Sequence, residues 1–215
     1  MQKRWNVAEP ELTLQASLSK ALSIPPILAQ VLINRNIRTK EEADIFMQPG
    51  ISCLYSPLSL PDIDKAIARI KQAIKNNEKV FLFGDYDVDG VTSCALLKLT
   101  LEKLGLQVKH CLPHRVKDGY GINKEAIDFV RKEKFDLFIS VDCGITNFKE
   151  IELLNASGID SIIIDHHEPQ EKLPNALAVV DPKLKGHNYP FRDLAAVGVV
   201  YKVCQALCYD SLIDD

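Results

Sequence analysis

Between residues 79 and 164, short continuous apolar runs alternate with stretches whose apolar positions recur every three to four residues. The runs "VFLF" (80–83), "LFISV" (137–141) and "SIII" (161–164) read as strands covered on both faces, because a strand with one wet face would alternate polar and apolar positions. The pattern predicts strands at 79–84, 107–112, 136–141 and 160–164 and a short strand near 177–180, with helices at 92–104, 123–134 and 147–157 between them. Interleaving of this kind implies βαβ units, hence an α/β domain with a mostly parallel sheet flanked by helices. Before the first strand, Ile63, Ala66, Ile67, Ile70, Ala73 and Ile74 recur on one face of a helix that starts at Asp62. A last helix, about 193–209, is rich in Ala, Val and Gly ("LAAVGVVYKVCQAL"), which suits close packing on the sheet.

The N-terminal part has a different texture. "SIPPILAQVLINRNIRTKEEADIFMQP" predicts two short helices, the second opened by Thr39 with Glu42 three residues on as a capping box and closed by Pro49 and Gly50. "ISCLYSPLSLPD" carries no regular period. This organisation places a small helical segment at 1–58 and the α/β domain at 59–215. The chain closes on "SLIDD" with no finishing element, so the α/β domain is expected to be incomplete at its C-terminal side.

Composition narrows the function classes. A 215-residue chain with 47% hydrophobic residues can build a proper core, and its net charge of −3 provides no basic field of the kind that holds duplex DNA nonspecifically. Contact with a nucleic acid must therefore be local. The six cysteines, at 53, 94, 111, 143, 204 and 208, form no Cys-x-x-Cys pair, which argues against structural zinc and a disulfide scaffold and for a reducing compartment. No apolar h-region follows the charged N-terminus and no 18-residue apolar run occurs, so the expectation is a soluble cytoplasmic protein.

Three of the predicted strands end in acids or histidines: "FGDYDVDG", "SVDCGIT" and "IIIDHHEP". In an open parallel sheet the carboxyl ends of the strands share one edge, and ligands bind there. Asp85, Asp87, Asp89, Asp142, Asp165, His166 and His167 should gather in one crevice. An aspartate after a strand is commonly a helix cap, and a histidine pair commonly a solvated turn. Three such ends on one edge are different, because clustered carboxylates repel one another unless cations sit among them. Carboxylates with a few imidazoles suit Mn²⁺ or Mg²⁺, and a carboxylate shared by two ions creates the arrangement used for in-line phosphoryl displacement.

"GDYDVDG", "VDCGIT" and "DHHEP", with "LPHRVKDGYG" between the first two, resemble the DHH phosphoesterase superfamily, and within it the single-stranded-DNA-specific exonucleases. The resemblance implies a Mn²⁺- or Mg²⁺-dependent phosphodiesterase that trims single-stranded DNA 5′ to 3′ in recombination and repair through two-metal activation of water. Carried over by position, Asp87 helps hold one ion, Asp89 and His166 the other, and Asp142 bridges both; Asp85 belongs to the same metal site. The catalytic residues implied are His167, facing the scissile phosphate, and Asp165, which can orient the imidazole of His166. Arg115, His114 and Lys117 would receive the DNA backbone or its 5′ phosphate, and Tyr120 would stack on a base. The partners implied are single-stranded DNA, helicases and single-strand-binding proteins, with a monomeric chain and no membrane. Such exonucleases are longer, with a second domain and a final metal aspartate beyond the point where this chain ends.

Other readings stay open at this stage. Relatives in the same superfamily act on short RNA or cyclic dinucleotides, or as pyrophosphatases, and a domain lacking its second half could bind metal or single strands without cutting. "FLFGDYDVDGVT" also resembles the opening of a haloacid-dehalogenase-type phosphatase, with Asp87 as covalent nucleophile and Asp89 as acid/base.

Overall fold

The structure is a computed structural model that describes residues 7–116 and 119–208. The chain forms two compact units, residues 1–54 and 55–215.

In the N-terminal unit, helices α1 (Leu12–Leu22), α2 (Pro26–Ile33) and α3 (Lys40–Met47) bury Leu18, Ala29, Leu32, Ile33 and Ala43 against one another. α2 begins with Pro26, whose missing N–H is no loss in a first turn. α3 opens with the predicted capping box: Glu42 N–H donates to Thr39 Oγ1 (3.2 Å) and Thr39 N–H to Glu42 Oε2 (3.1 Å). The sequence pattern does not announce α1. Its first residue follows Glu11, which makes no side-chain cap, and only Leu18 in it is fully buried, so neither a start signal nor a wide apolar stripe marks it.

The larger unit is built on five parallel strands, β1 (Lys79–Gly84), β2 (Gln107–Cys111), β3 (Leu137–Val141), β4 (Asp160–Ile164) and β5 (Ala178–Val180), in the order β2-β1-β3-β4-β5. Strand alternation sorts their side chains to two faces. Val80, Leu82, Ile139, Val141, Ile162 and Ile164 meet helices α4 (Ile63–Asn76), α5 (Val88–Lys103) and α8 (Ala196–Leu207). Phe81, Phe83, Phe138 and Ile163 meet α6 (Lys124–Lys132) and α7 (Phe148–Asn155) on the other face. There Phe138 stacks on Phe81 and Phe83 at centroid distances of 5.9 and 6.3 Å. The α/β class expected from the apolar runs is the one observed. Among the described residues no single helix is long and apolar enough to cross a membrane.

Two helix starts differ from the periodicity, for one physical reason each. α5 begins at Val88 rather than 92, because Asp87 accepts the N–H groups of Asp89 (2.9 Å) and Gly90 (3.0 Å) and so caps a first turn whose two valines, Val88 and Val91, are exposed and add nothing to a buried stripe. α8 begins at Ala196 rather than 193, because residue 195 is extended and the first-turn amides of Ala196 and Val197 donate to Asp89.

At the opposite edge of the sheet, Arg69 on α4 is buried and joins three segments, ion-paired with Glu78 (2.7 Å) and donating hydrogen bonds to Asp160 (2.6 Å) and to the carbonyl of Asp136 (3.3 Å). Removing one partner of such a network leaves charges without company. Arg69→Ala is expected to cost about 2–4 kcal/mol, somewhat below the usual cost of breaking a buried pair because Asp160 is half exposed. A shift of the urea midpoint at constant slope checks this; an unchanged midpoint would show the network to be idle.

Candidate metal centre

The direction of strand order reverses between β1 and β3, which is where open α/β sheets form a crevice. Four strands end there in the same way. Asp85, Asp142, Asp165 and Asp181 directly follow β1, β3, β4 and β5, and all four are buried. The ladder continues one step past the strands, with Asp142 N–H donating to Ile164 O (3.0 Å) and Asp165 N–H to Val180 O (3.1 Å), so backbone pairing fixes these carboxylates in register.

Local backbone geometry aims them. Asp142 adopts φ 61°, a left-handed conformation that aspartate tolerates better than most side chains and that turns the chain sharply at the crevice floor. Gly90 stands where the first turn of α5 crosses the backbone of Asp85, and a Cβ there would strike the Asp85 main chain. Only glycine allows α5 to deliver Asp87 and Asp89 so close to the end of β1.

Two groups of side chains could each hold an ion. Asp85, Asp87 and Asp142 form one; Asp142, His166 and His167 form the other; within each, the ligand atoms lie within 4.8 Å of one another. Asp142 belongs to both. Its carboxyl is pushed up to about 8 by burial and by the charges of Asp89 and Asp87, and burial together with Asp87 also raises Asp85. His166 Nε2 lies 3.2 Å from Asp142 Oδ1 without the alignment a hydrogen bond needs, so Asp142 Oδ1, like Asp85 Oδ1, is buried with no donor. Buried oxygens without donors, ringed by further carboxylates, fit a hard divalent cation.

The remaining predicted residues occupy distinct places. Asp89 lies outside both groups: it accepts from Ala196 N–H (2.7 Å) and Val197 N–H (2.8 Å), with Oδ2 3.7 Å from His166 Nε2. It thus ties α8 to the crevice beside His166. His166 is held through Nδ1, 3.0 Å from the carbonyl of Leu194, which leaves Nε2 toward the carboxylates. Asp165 organises the turn around it, accepting from His166 N–H (2.7 Å), His167 N–H (3.2 Å), His167 Nδ1 (2.7 Å) and Ile145 N–H (3.1 Å). Burial raises its pKa, but the bonds from His167 and Ile145 outweigh that and hold it below the ordinary carboxylate value. The same bond, against the opposing effect of burial, raises the pKa of His167. Using Nδ1 in this way leaves Nε2 of His167 for a ligand or a proton.

Tyr120, expected to stack on a base, has its hydroxyl 3.3 Å from His167 Nδ1 and its ring edge-on to that imidazole at 5.8 Å. About half of the residue remains exposed. Arg115 lies over the ring of Tyr86 at 5.5 Å, an aromatic platform that sequence reasoning did not single out. His114 Nδ1 accepts from Val116 N–H at 3.3 Å. Lys117 lies outside the described residues.

Asp181 was also missed, although "VVDP" shows the same strand-then-aspartate signal as the other three ends. One of its oxygens accepts from Lys183 N–H (2.8 Å) and the other is buried without a donor. Burial pushes its carboxyl up to about 7. A native state that keeps a proton the unfolded chain has released loses stability as pH climbs from the ordinary carboxylate range to about 7. Asp181→Asn should therefore be more stable than the parent at pH about 8, by on the order of 1–3 kcal/mol, with the difference vanishing toward pH about 4. Denaturant titrations of both forms in chelator across that range check the sign; a constant difference would show that Asp181 is charged throughout.

The DHH family, N-terminal domain, model matches residues 79–214, the segment that carries all four strand-end aspartates. The chain belongs to the DHH family. Among the relatives of this DHH chain, the single-stranded-DNA-specific exonuclease RecJ of Bacillus subtilis is 41% identical over 95% of the chain, and that of Thermus thermophilus is 36% identical over 84%. The chain spans 26% of the length of each. Among solved structures, RecJ of Thermus thermophilus in complex with Mn²⁺ superposes with a TM-score of 0.74 at 30% identity, covering 95% of this chain and 28% of that one. An exonuclease RecJ bound to manganese gives a TM-score of 0.65 at 34% identity over 74% of this chain and 40% of that one. The DHH motif itself is Asp165-His166-His167, and its internal hydrogen bonds give the three letters a physical meaning: the first residue positions the other two.

Proposed function

We propose that this chain is the catalytic DHH module of a single-stranded-DNA-specific exonuclease, a phosphodiesterase that trims strands from the 5′ end in recombination and repair with two Mn²⁺ or Mg²⁺ ions. One observation carries the reading: Asp142 is common to two ligand groups and has an oxygen buried without a donor. Similarity to exonucleases, among them two structures that hold manganese, supports it. Asp85 and Asp87 would hold one ion, His166 and His167 the other, with Asp142 shared; Asp89 stands beside His166. The ions supply Lewis acidity and neutralise charge on the reacting phosphate.

The chain's own residues do the rest. Asp165 fixes His167 through Nδ1, so that Nε2 can bind an ion or donate to the leaving oxygen. Arg115, stacked on Tyr86 at the rim, offers a planar donor set to a phosphate. Tyr120 keeps enough exposed surface beside His167 to receive a base.

The test is Mn²⁺-dependent degradation of an end-labelled, 5′-phosphorylated single-stranded oligonucleotide. Stepwise loss from the 5′ end, abolished by chelator, is expected; release of a single dinucleotide product, or preference for pyrophosphate, would overturn the assignment. In the same assay Arg115→Ala should raise KM about tenfold, with kcat within about threefold of the parent, since one charge-assisted phosphate contact acts in binding before it acts in chemistry. A selective fall in kcat would move Arg115 into the chemical step.

A further inference from the structure

The carboxylate groups sit at the middle of the sheet, on the ends of β1, β3 and β4, and "LPHRVKDGYG" follows β2 at one flank. The other flank is the segment from β5 to α8, "DPKLKGHNYPFRD" at 181–193, which the motif analysis left without a role. It is fastened to the centre at three points. Lys183 Nζ reaches Glu168 at 3.6 Å, next to His167; Leu194 O meets His166 Nδ1 at 3.0 Å; and the amides of Ala196 and Val197 bind Asp89.

Between these ties the segment forms a pocket of about 410 Å³ lined by Lys185, His187, Asn188 and Arg192 over the buried ring of Tyr189. Gly186, at φ 83°, makes the turn that sets Lys185 and His187 side by side. Among the described residues neither Lys185 nor His187 has a carboxylate partner, and the hydrogen bond of Arg192 goes to the carbonyl of Lys183 (3.1 Å). Lys185 and Arg192 thus stand side by side in the pocket with no carboxylate among the described residues to neutralise them, a local cationic spot on a chain whose net charge of −3 gives no general basic field.

We infer that this β5–α8 pocket binds a backbone phosphate of the single-stranded substrate, on the flank of the metal centre opposite Arg115. The inference rests on the polynucleotide reading above and adds its extent. The two outer strands stand roughly 20 Å apart, four spacings of about 4.8 Å. A ligand touching both flanks is therefore an oligomer, and a mononucleotide reaches only one.

The test uses this chain in chelator with a fluorescent oligothymidylate. Lys185→Gln combined with Arg192→Gln should weaken binding about tenfold at low salt and lower the slope of log K against log salt by about 0.7, the share of the one single-strand phosphate contact that the pocket makes. Lys185→Glu alone should weaken binding in the same direction. Among the described residues its exposed side chain has no partner to lose, so misfolding is not the explanation. Mn²⁺ affinity should stay unchanged in all variants. Unchanged binding and slope in the variants, or no binding by the parent chain, overturns the inference. Repeating the assay with Mn²⁺ separates the two claims: binding that depends on Lys185 and Arg192 without any cleavage contradicts the exonuclease alone, whereas cleavage with KM untouched by the double variant contradicts the pocket alone.

Discussion

Asp142→Ala is expected to abolish turnover, by a factor on the order of a thousand or more, and to weaken Mn²⁺ binding at both positions. Asp142 belongs to both ligand groups, so its loss takes an oxygen from each, whereas a change at Asp87 takes one. The neighbours left behind still repel one another, and no other described residue is common to the two groups. Calorimetric titration with Mn²⁺ and the oligonucleotide assay check the two halves of this expectation. Two equivalents bound at parental affinity would remove Asp142 from its shared role. The metal-free Asp142→Asn protein should be no less stable than the parent, because the change relieves a buried carboxyl crowded by Asp89 and Asp87. That control separates a lost site from a lost fold.

Asp165→Asn is the second large effect, and it acts without removing any atom from the metal groups. One oxygen of Asp165 accepts from His166 N–H, His167 N–H and His167 Nδ1, and the other from Ile145 N–H. Whichever way an amide turns there, its NH₂ faces at least one donor. One such mismatch in a fully buried position costs about 1–3 kcal/mol. The larger result is that His167 loses its anchor, and outer partners of this kind typically contribute about 10–100-fold in metal affinity or activity. Expected is a kcat lower by about 10–100-fold, with Mn²⁺ affinity lower by at least about tenfold. If kcat falls while the urea midpoint and Mn²⁺ affinity stay at parental values, Asp165 acts on the reaction more directly than its contacts indicate.

Much of this site was legible before any coordinates. Continuous apolar runs of four or five residues between helical periods fit strands covered on both sides, and parallel strands present their carboxyl ends together, which places Asp85, Asp142 and the Asp165 turn on one edge. The capping box at Thr39 was equally plain, because it is a local arrangement of four residues. What escaped was of two sorts. α1 carries neither a cap nor a broad apolar stripe, and Asp181 follows a strand of only three residues with no second acid to draw notice.

Sequence alone determined the fold class, the edge on which the chemistry lies and the oxygen-and-imidazole character of its ligands, because each depends on periodicity and residue type. Tertiary structure decided how those residues divide the work. Asp142 became the shared carboxylate because the β1–β3 reversal sets it between two neighbours, while Asp89 was drawn toward the amides of α8, 107 and 108 positions away in the chain. Tyr120 met His167, 47 residues on, and the β5–α8 segment acquired its place beside the metal centre through contacts that no local pattern encodes. Such pairings follow from how strands and helices pack, and packing is settled only when the whole sheet is assembled.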